Sequence, residues 1–492
     1  MSRIKILEQN PSLLAYLREH KIPIEAICNG KGTCGRCKVK MIGKAPELTE
    51  QEHALLSIDE INAGWRLACS HEAQADSEIE LMDEKAFKIL GAAIDHFHVH
   101  KIDEMIRIAI DIGTTTVVLL VIDPHGKVLQ EIRFLNPQRA YGADVLSRIQ
   151  HELENEAGII RRVLISKLTE TLNKISLDYP NETFLIGFTG NPTMSHFLMN
   201  ETVAPILQIP YSCAVKETRR YMIQELFPDV KMNGKLIVYP PISAYVGADI
   251  VCGLVDLDFF NRKGTHLFLD LGTNGELVLL KNGIAYSTST AAGPAFEGGS
   301  LSCGCGSIEG AISDVFRNQD GSLGFETIGH ASPSGICGCG YIALLGEIMG
   351  HEMDESGYLN STLYLTPDLY LTQQDVRMFQ LAKSAIRTGI EILLKKTNTE
   401  SRDIERFELA GGFGSGVSLH SALSIGLFPQ VLKDKCHIDG NTALKGTAKL
   451  LFHASQETLF DPTKVVSVEL ATEPSLMDLF KEYLYFKKTR GG

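Results

Sequence analysis

The sequence has little of what marks a membrane, secreted or nucleic-acid-binding protein. Its 492 residues contain a single tryptophan and no cluster of basic residues. No apolar run approaches the roughly 20 residues that a membrane helix needs. The first ten residues lack the basic start, apolar stretch and small-residue cleavage site of a signal peptide. We therefore expect no membrane or nucleic-acid partner and a cytoplasmic location.

The bulk composition predicts a folded protein of more than one domain. A hydrophobic content of 44% is sufficient for packed cores, and the formal charge of −13 is spread along the chain. The length exceeds what a single hydrophobic core usually serves. We expect a small first domain followed by a large bilobal one.

Eleven cysteines in a chain without a secretion signal indicate metal-binding, redox or buried thiols rather than disulfides. Four of them have plant-type ferredoxin spacing, namely Cys28, Cys34, Cys37 and Cys69. Gly30, Gly32 and Gly35 allow the positive φ values of a loop that wraps a cluster. Zinc is the alternative occupant, but structural zinc sites usually have two short cysteine pairs. The spacing therefore predicts a [2Fe-2S] cluster.

The residues around this loop predict a small mixed fold. Alternating apolar residues indicate strands over 3–7, 37–41 and 78–81, and a helix over 12–20. This arrangement resembles the β-grasp-like fold of plant-type ferredoxins, which implies a one-electron carrier.

A strand–turn–strand pattern occurs twice, with Asp111 and Asp270 as matching acidic residues before the turns, 159 residues apart. Glycine and threonine in such turns donate hydrogen bonds to phosphate, and the aspartates can hold the waters of Mg²⁺. The predicted nucleotide-binding residues are Gly113, Thr114, Thr115, Gly272, Thr273, Asn274 and Gly275. The predicted catalytic residues are Asp111, Asp270 and Glu276, the last as the group that positions the attacking water. Ordinary hairpins are the alternative, but the duplication argues against them.

A third turn completes the nucleotide-site prediction. A strand runs into Gly411, Gly412, Phe413 and Gly414, where the backbone can approach a nucleoside. In this order the three turns resemble the ATPase superfamily of actin, sugar kinases and heat-shock chaperones. The resemblance implies an α/β fold of two duplicated lobes that close over ATP and Mg²⁺, joined here to an α+β module.

Several short motifs extend the resemblance to a family. They are Asp-Ile-Gly-Thr-Thr-Thr, Asn-Pro-Gln, Gly-Ala-Asp, Asp-Leu-Gly-Thr-Asn-Gly-Glu, Ala-Ala-Gly-Pro-Ala-Phe-Glu-Gly and Gly-Ile-Cys-Gly. With the ferredoxin module, they resemble the reductive activators of corrinoid proteins over residues 1 to 455. The resemblance implies ATP hydrolysis coupled to electron delivery onto a partner's Co(II) corrinoid, which restores Co(I), with a separate protein as electron donor.

ATP has a clear energetic role in such chemistry. Plant-type ferredoxins have potentials near roughly −400 mV, and lowering a one-electron potential by about 59 mV costs about 1.4 kcal/mol. A corrinoid of lower potential therefore needs an added driving force.

The expected domains are a ferredoxin module over 1–84, a linker over 85–104, ATPase lobes over 105–264 and 265–455, and an uninterpreted segment over 456–492. Members of the family that the chain resembles generally carry a further domain at this place, so the resemblance is to a short, divergent member. The linker contains His96, His98 and His100, a metal-site hypothesis for which plain surface histidines are the commoner explanation.

Two Cys-Gly-Cys pairs in the second lobe depart from the family pattern. They are Cys303, Cys305, Cys337 and Cys339, and the resemblance accounts only for the first of each pair. Seven cysteines (eleven less four) predict roughly 0.1 such pairs by chance. A second cluster, most plausibly [4Fe-4S], held within one subunit or between two in a homodimer, is one interpretation. Tight metal-free packing is the other, and it is the one that we favour for Cys213, Cys252 and Cys436.

Three functions remain open at this point. The first is an ATP-dependent reductase that passes single electrons to a metalloprotein, with a corrinoid protein suspected. A second cluster would favour a non-corrinoid acceptor instead. A redox-regulated metabolite kinase and a nucleotide-dependent assembly factor are further alternatives, and substrate-dependent ATP turnover would favour the kinase.

Overall fold

The structure is a computed structural model. It describes residues 2–20, 22, 24, 26, 28, 30–56, 58–81, 96–97, 103–142, 144–154, 157–209, 211–411, 416–453 and 460–486. Within these ranges, no helix is long and apolar enough to cross a membrane.

The N-terminal module is a four-stranded antiparallel sheet in the order β1-β4-β2-β3. Its elements are β1 (Ser2–Lys5), α1 (Leu13–Glu19), β2 (Lys38–Ile42), α2 (Glu50–Leu55), α3 (Ile58–Asn62), β3 (Trp65–Leu67) and β4 (Glu78–Leu81). The Ser12 hydroxyl caps α1 by accepting the Ala15 N–H, and a reciprocal Thr49–Glu52 capping box starts α2. The predicted strands and helix of a ferredoxin-type module are therefore confirmed.

The second region, lobe I, is built on a six-stranded sheet in the order β7-β6-β5-β8-β10-β9. Its strands are β5 (Ile106–Ile112), β6 (Thr116–Ile122), β7 (Val128–Leu135), β8 (Thr183–Gly190), β9 (Arg219–Met222) and β10 (Asn233–Val238). Its helices are α4 (Val145–Glu154), α5 (Ile159–Asp178), α6 (Pro192–Met199), α7 (Ala204–Leu207), α8 (Ile223–Leu226) and α9 (Ala248–Asp256). The central strands are apolar throughout because both sheet faces are covered: Ile108 and Ile110 enter one core, and Ala109 the other.

The third region, lobe II, repeats this topology. Its main sheet has the order β20-β19-β11-β12-β13-β21, which matches the lobe I order from β7 to β10 when read in reverse. The strands are β11 (Thr265–Leu271), β12 (Gly275–Lys281), β13 (Ile284–Thr290), β19 (Arg406–Ala410), β20 (Cys436–Gly440) and β21 (Val465–Ser467). In each lobe a three-stranded antiparallel meander is followed by parallel strands on its far side. The duplication predicted from the two turns is confirmed.

The remaining elements that follow β13 in sequence lie outside the main sheet of lobe II. They are β14 (Ala311–Arg317), β15 (Leu323–Thr327), β16 (Gly335–Ile336), β17 (Leu363–Tyr364), β18 (Tyr370–Leu371), α10 (Gly338–Ile348), α11 (Gln373–Lys396), α12 (Leu419–Ser424), α13 (Thr442–Phe452) and α14 (Leu476–Glu482). Helix α13 follows the lobe II sheet in sequence but packs on α9, β5 and β8. A Cβ on Gly446 would lie 1.7 Å from the Cys252 carbonyl oxygen, so glycine is what lets α13 and α9 approach.

The segment after residue 455, which the sequence left uninterpreted, is part of this lobe where the structure describes it. Strand β21 pairs in parallel with β13 at the edge of the sheet. Helix α14 packs on α11, where the Lys383 ammonium donates to the Tyr485 carbonyl at 2.9 Å. Burial lowers the pKa of Lys383 to about 7. The C-terminal segment thus covers a sheet edge and a polar strip of α11.

Candidate nucleotide and iron–sulfur sites

Two tight turns, one from each lobe, meet at the cleft. They contain the predicted phosphate-binding residues: Gly113, Thr114 and Thr115 between β5 and β6, and Gly272, Thr273 and Asn274 between β11 and β12. The Gly113 N–H donates to the Thr116 carbonyl, and the Gly272 N–H donates to the Asn274 carbonyl, each at 2.9 Å. A Cβ on Gly113 would lie 2.7 Å from the Thr116 carbonyl oxygen, so this turn requires glycine. Gly275 instead faces Ile386 of α11.

The lobe I turn is held by side chains that follow it in sequence. The Asn136 amide donates to the Gly113 carbonyl at 2.8 Å, and the Asn191 amide donates to the Thr114 hydroxyl at 3.1 Å. The buried Arg148 guanidinium donates to the Thr114 carbonyl at 2.6 Å. The polar loop that begins at Asn136 therefore fixes the lobe I turn.

Carboxylates gather beside the turns. Asp111 and Asp270 are the penultimate residues of β5 and β11, and Asp249 lies in the first turn of α9. Glu276 of β12 lies directly opposite Asp270 in the strand register. The Asn441 amide donates to Asp111 at 2.8 Å. The structure thus brings all three predicted catalytic residues to one place.

The carboxyl groups of this cluster repel one another. Burial raises the pKa of Asp111 to about 6, against the opposing hydrogen bond from Asn441. Burial and then neighbouring carboxylates raise the pKa of Asp249 to about 7 and of Asp270 to about 8, and that of Glu276 well above its usual range. Each side chain keeps some exposure to the cleft, yet protein surrounds it on its other sides. A hydrated Mg²⁺ would relieve this mutual repulsion.

Glu297 joins the two turns. It ends the 3₁₀ helix Pro294–Glu297, and its Oε2 atom accepts the Thr115 hydroxyl at 2.6 Å and the Thr273 hydroxyl at 3.0 Å. One carboxylate oxygen therefore takes a hydroxyl donor from each lobe.

Gly411 follows β19 beside the same cleft with φ of 102°, and a Cβ there would lie 2.7 Å from Asp270 Oδ1. The other predicted residues of this turn, Gly412, Phe413 and Gly414, lie outside the described residues. So do His98 and His100, whereas His96 forms an isolated bridge with Lys127.

The four ferredoxin cysteines form two pairs. The Cys34 and Cys28 sulfurs are 3.4 Å apart, and the Cys37 and Cys69 thiols contact each other. In a [2Fe-2S] cluster each iron takes two protein thiolates and two bridging sulfides, so two pairs are the arrangement that such a cluster requires. The donor set therefore fits a binuclear cluster.

In each pair, one thiol is favoured as a thiolate. Hydrogen bonds from Thr33 and Cys34 outweigh the effect of burial and lower the pKa of Cys28 to about 7. The hydrogen bond from Cys37 lowers the pKa of Cys69 to about 6 and raises that of Cys37. Thiolates are the form that binds metal.

Two arginines, one from α1 and one from the cluster loop, connect the ferredoxin module to the two lobes. Arg18 lies near Cys28, Cys37 and Cys69, donates to the Ala140 carbonyl of lobe I, and is 5.1 Å from the Tyr141 ring centroid. Arg36 lies between the predicted ligands Cys34 and Cys37 and donates to the Leu301 carbonyl at 2.9 Å and the Gly304 carbonyl at 3.4 Å. The ferredoxin module is thus seated on both lobes, through α1 on lobe I and through the cluster loop on lobe II.

The lobe II cysteines occupy two loops joined by backbone hydrogen bonds. The Cys305 N–H donates to the Ile336 carbonyl at 3.0 Å, and the Ile336 N–H donates to the Cys303 carbonyl at 2.8 Å. Cys337 and Cys339 contact each other at the start of α10, and both are buried. The Cys303 sulfur accepts the Tyr370 N–H at 3.3 Å. The two predicted loops are brought together, with thiols from both in one neighbourhood.

Within the described residues, neither set of cysteines is grouped around a single metal ion. Among the residues that the structure describes, no three histidine, cysteine or acidic side chains are grouped as ligands of a single metal ion. Burial raises the pKa of Cys303, and it raises the pKa of Cys305 to about 12. The pKa of Cys339 is raised first by its hydrogen bond with Cys337 and then by burial.

Sequence reasoning missed three residues of the cleft. Asp249 and Asn441 begin helices, where caps and acidic residues are common without any site. Glu297 belongs to the Ala-Phe-Glu motif, which supported the family resemblance without receiving a role. The useful signal for Asp249 would have been an acidic residue after glycine at the start of a helix that leaves lobe I.

The comparisons with known proteins agree with this architecture. The description "RACo middle region" matches residues 106–262, and "C-terminal domain of RACo the ASKHA domain" matches residues 264–491. This chain belongs to the RACo family. Residues 3–74 match the "2Fe-2S iron-sulfur cluster binding domain". The RACo-family chain therefore combines a [2Fe-2S] module with an ATPase domain of the ASKHA type.

Individual relatives extend over most of the chain. The corrinoid activation enzyme RamQ of Eubacterium limosum is 27% identical, with 93% of each chain covered. A "[Co(II) methylated amine-specific corrinoid protein] reductase" of Methanosarcina barkeri is 24% identical over 72% of this chain and 71% of that one. A solved "Reductive activator for corrinoid,iron-sulfur protein" superposes with a TM-score of 0.70 at 24% identity, over 98% of this chain and 96% of that one. This last match confirms the fold.

Proposed function

We propose that this RACo-family protein is an ATP-dependent activator that delivers single low-potential electrons to a corrinoid protein and returns its Co(II) to Co(I). The activities in the relatives' names support the proposal. The observation that carries it is the seating of the ferredoxin module on both ATPase lobes, through Arg18 of α1 on lobe I and Arg36 of the cluster loop on lobe II. This contact gives nucleotide-driven lobe movement a direct connection to the redox module.

The cleft residues have separable roles in this proposal. Thr115 and Thr273 bind phosphate oxygens, and Asp111, Asp249 and Asp270 hold the water shell of Mg²⁺. Glu276, hydrogen-bonded by Ser289 at 3.2 Å, positions the attacking water. The [2Fe-2S] group, held by its four cysteines, supplies one-electron transfer when bound. A separate reduced protein supplies the electron, in a reducing compartment such as the cytoplasm.

We further propose that the Cys-Gly-Cys loops hold a second cluster of the [4Fe-4S] type. Its support is the joining of the two loops next to the carbonyls that Arg36 binds. The measurement is iron and acid-labile sulfide per chain, in wild type and in a Cys305→Ser, Cys339→Ser double variant. About six irons falling to about two support a second cluster, whereas about two in both mean that the loops only pack.

The main proposal is tested by reduction of a purified Co(II) corrinoid protein, the partner of a methyltransferase, monitored through the Co(I) absorbance. Reduction should require ATP, Mg²⁺, an electron donor and an intact cluster. Asp270→Asn should abolish it while the cluster spectrum persists. Exposed Asp320→Asn is the matched control and should retain full activity.

Two results would favour another function. ATP turnover that depends on a small metabolite, with a phosphorylated product, would identify a redox-regulated kinase. Reduction of a different metalloprotein with the same ATP requirement would retain the electron-transfer chemistry and replace the corrinoid partner.

A further inference from the structure

The Glu297 carboxylate occupies the position between the two phosphate turns. Its single Oε2 atom accepts hydroxyl donors from Thr115 of lobe I and Thr273 of lobe II. Under the proposed function, the same hydroxyls are donors to nucleotide phosphate. A phosphate oxygen and this carboxylate oxygen cannot both take these donors, and their negative charges repel. Binding of phosphate therefore requires Glu297 to leave.

Glu297 begins a compact segment that leads to the ferredoxin contact. Gly298 has φ of 74°, and a Cβ on it would lie 2.2 Å from the Cys305 carbonyl oxygen. A Cβ on Gly304 would lie 1.9 Å from the Gly298 carbonyl oxygen. Backbone atoms packed this closely move together rather than independently. A displacement at Glu297 is therefore carried to the Leu301 and Gly304 carbonyls.

Those two carbonyls are the ones that Arg36 holds, while Arg18 holds lobe I. Arg18 reaches Ala140, in the 3₁₀ helix Pro137–Tyr141 directly after Asn136, whose amide fixes the lobe I phosphate turn. The cluster module is thus attached to each lobe close to that lobe's phosphate turn. A change in the angle between the lobes alters the distance between its two attachment points.

We propose that Glu297 substitutes for nucleotide phosphate and latches the lobes together, and that ATP displaces it and thereby reseats the cluster loop through Arg36. The inference rests on the proposed ATP site but does not depend on the corrinoid partner. Glu297 and Arg36 are positioning residues, since each acts through what it holds.

The test uses cluster-loaded protein with and without Mg²⁺ and the non-hydrolysable analogue AMP-PNP. Hydrogen–deuterium exchange reports on the cluster loop at 30–37 and on the segment at 298–305, and calorimetry gives the nucleotide affinity. In wild type, AMP-PNP should change exchange at 30–37 several-fold. Glu297→Gln should bind AMP-PNP about tenfold more tightly, because a competing charge is removed. Glu297→Ala, which removes the acceptor for both hydroxyls, should show without nucleotide the exchange pattern of nucleotide-bound wild type.

Arg36→Ala should bind AMP-PNP with wild-type affinity and lose the nucleotide-dependent change at 30–37. If Arg36→Ala loses iron, Arg36→Lys replaces it in the same measurement. Lysine keeps the positive charge but lacks the guanidinium group that reaches both carbonyls. Glu326→Gln and Arg3→Ala, at exposed positions of lobe II and the ferredoxin module, are the matched controls and should behave as wild type.

Two results would overturn the inference. Glu297→Gln that binds AMP-PNP no more tightly than wild type would exclude competition with phosphate. Tight binding to wild type without any change at 30–37 would exclude transmission to the cluster and leave the proposed function intact. Failure of wild type to bind AMP-PNP at all would remove both this inference and the proposed function.

Discussion

The two groups of four cysteines use glycine for different physical reasons. In the ferredoxin loop, Gly30, Gly32 and Gly35 have φ values of 81°, 70° and 65°, and a Cβ on any of them would approach no atom closer than 3.2 Å. These glycines curve the backbone. In lobe II, a Cβ on Gly335 would lie 2.6 Å from the Cys305 sulfur. That glycine makes space, so a similar composition creates one open loop in the ferredoxin module and two closely packed loops in lobe II.

The largest expected effect is at the ferredoxin group. Cys69→Ala should abolish the [2Fe-2S] cluster, because the remaining thiol of its pair cannot complete the coordination of one iron. Visible absorbance and iron content should fall to background for this cluster. Cys213→Ala, at an isolated buried cysteine, is the control and should keep the full spectrum. Retention of the cluster in Cys69→Ala would show that another residue is the ligand.

Thiol reactivity should separate the two groups next. In anaerobic, metal-free protein, a pH of 8 is above the pKa values of Cys28 (about 7) and Cys69 (about 6), so both are mostly thiolates. The same pH is far below the pKa of Cys305 (about 12), which stays a thiol. Alkylation by iodoacetamide, followed by mass spectrometry, should be roughly a hundredfold faster at the first two, after the lower nucleophilicity of acidic thiols is allowed for.

The alkylation rates of the two groups should also depend differently on pH. Between pH 8 and pH 10, the rate at Cys305 should rise about tenfold per unit, because its thiolate fraction is still increasing. The rate at Cys69 should be flat over this range, since its thiolate is already formed. Equal rates or parallel pH profiles would contradict the contrast between the two regions.

Glycine substitutions should have smaller, region-specific effects. Gly335→Ala should destabilise lobe II by about 1–3 kcal/mol through overpacking, with the [2Fe-2S] spectrum unchanged. Gly35→Ala should cost about 1 kcal/mol through its left-handed backbone and act on cluster retention instead. Urea unfolding followed by circular dichroism and by visible absorbance distinguishes them. Loss of the cluster in Gly335→Ala, or loss of lobe II stability in Gly35→Ala, would contradict this interpretation of the two glycines.

The smallest expected effect concerns one hydrogen bond. Thr33 donates to the Cys28 thiolate through its backbone and side chain. Thr33→Val removes the hydroxyl and with it a hydrogen bond that contributes about 1 kcal/mol. Because that hydrogen bond stabilises the more negatively charged reduced cluster more than the oxidised one, its loss should lower the reduction potential by about 40 mV. Thr33→Ser is the matched control. A potential unchanged in Thr33→Val would show that the backbone N–H alone matters.

Much of the fold could be predicted because its signals are local. The apolar strands beside Asp111 and Asp270, and the Ser12 cap of α1, are readable from neighbouring residues. The repeat of one turn 159 residues later also predicted the duplicated lobes. By contrast, α13 lies against lobe I although lobe II precedes it in sequence, and no local pattern encodes that return.

The site was predictable to a similar extent. Spacing was sufficient to nominate the ferredoxin cysteines, but their division into two pairs depends on how the loop folds. Glu297 lies 182 residues from Thr115, so its role in joining the turns exists only in three dimensions. The same holds for Arg36, whose partners are 265 and 268 residues away.

The single tryptophan of the chain, Trp65, opens strand β3 and pairs with Lys40, four residues before the ligand Cys69. All indole fluorescence of the protein therefore originates in the ferredoxin module. A visible-absorbing cluster close by quenches that emission by energy transfer, and loss of the cluster restores it. Cluster assembly and loss can thus be followed optically in real time, without a label and at concentrations too low for metal analysis.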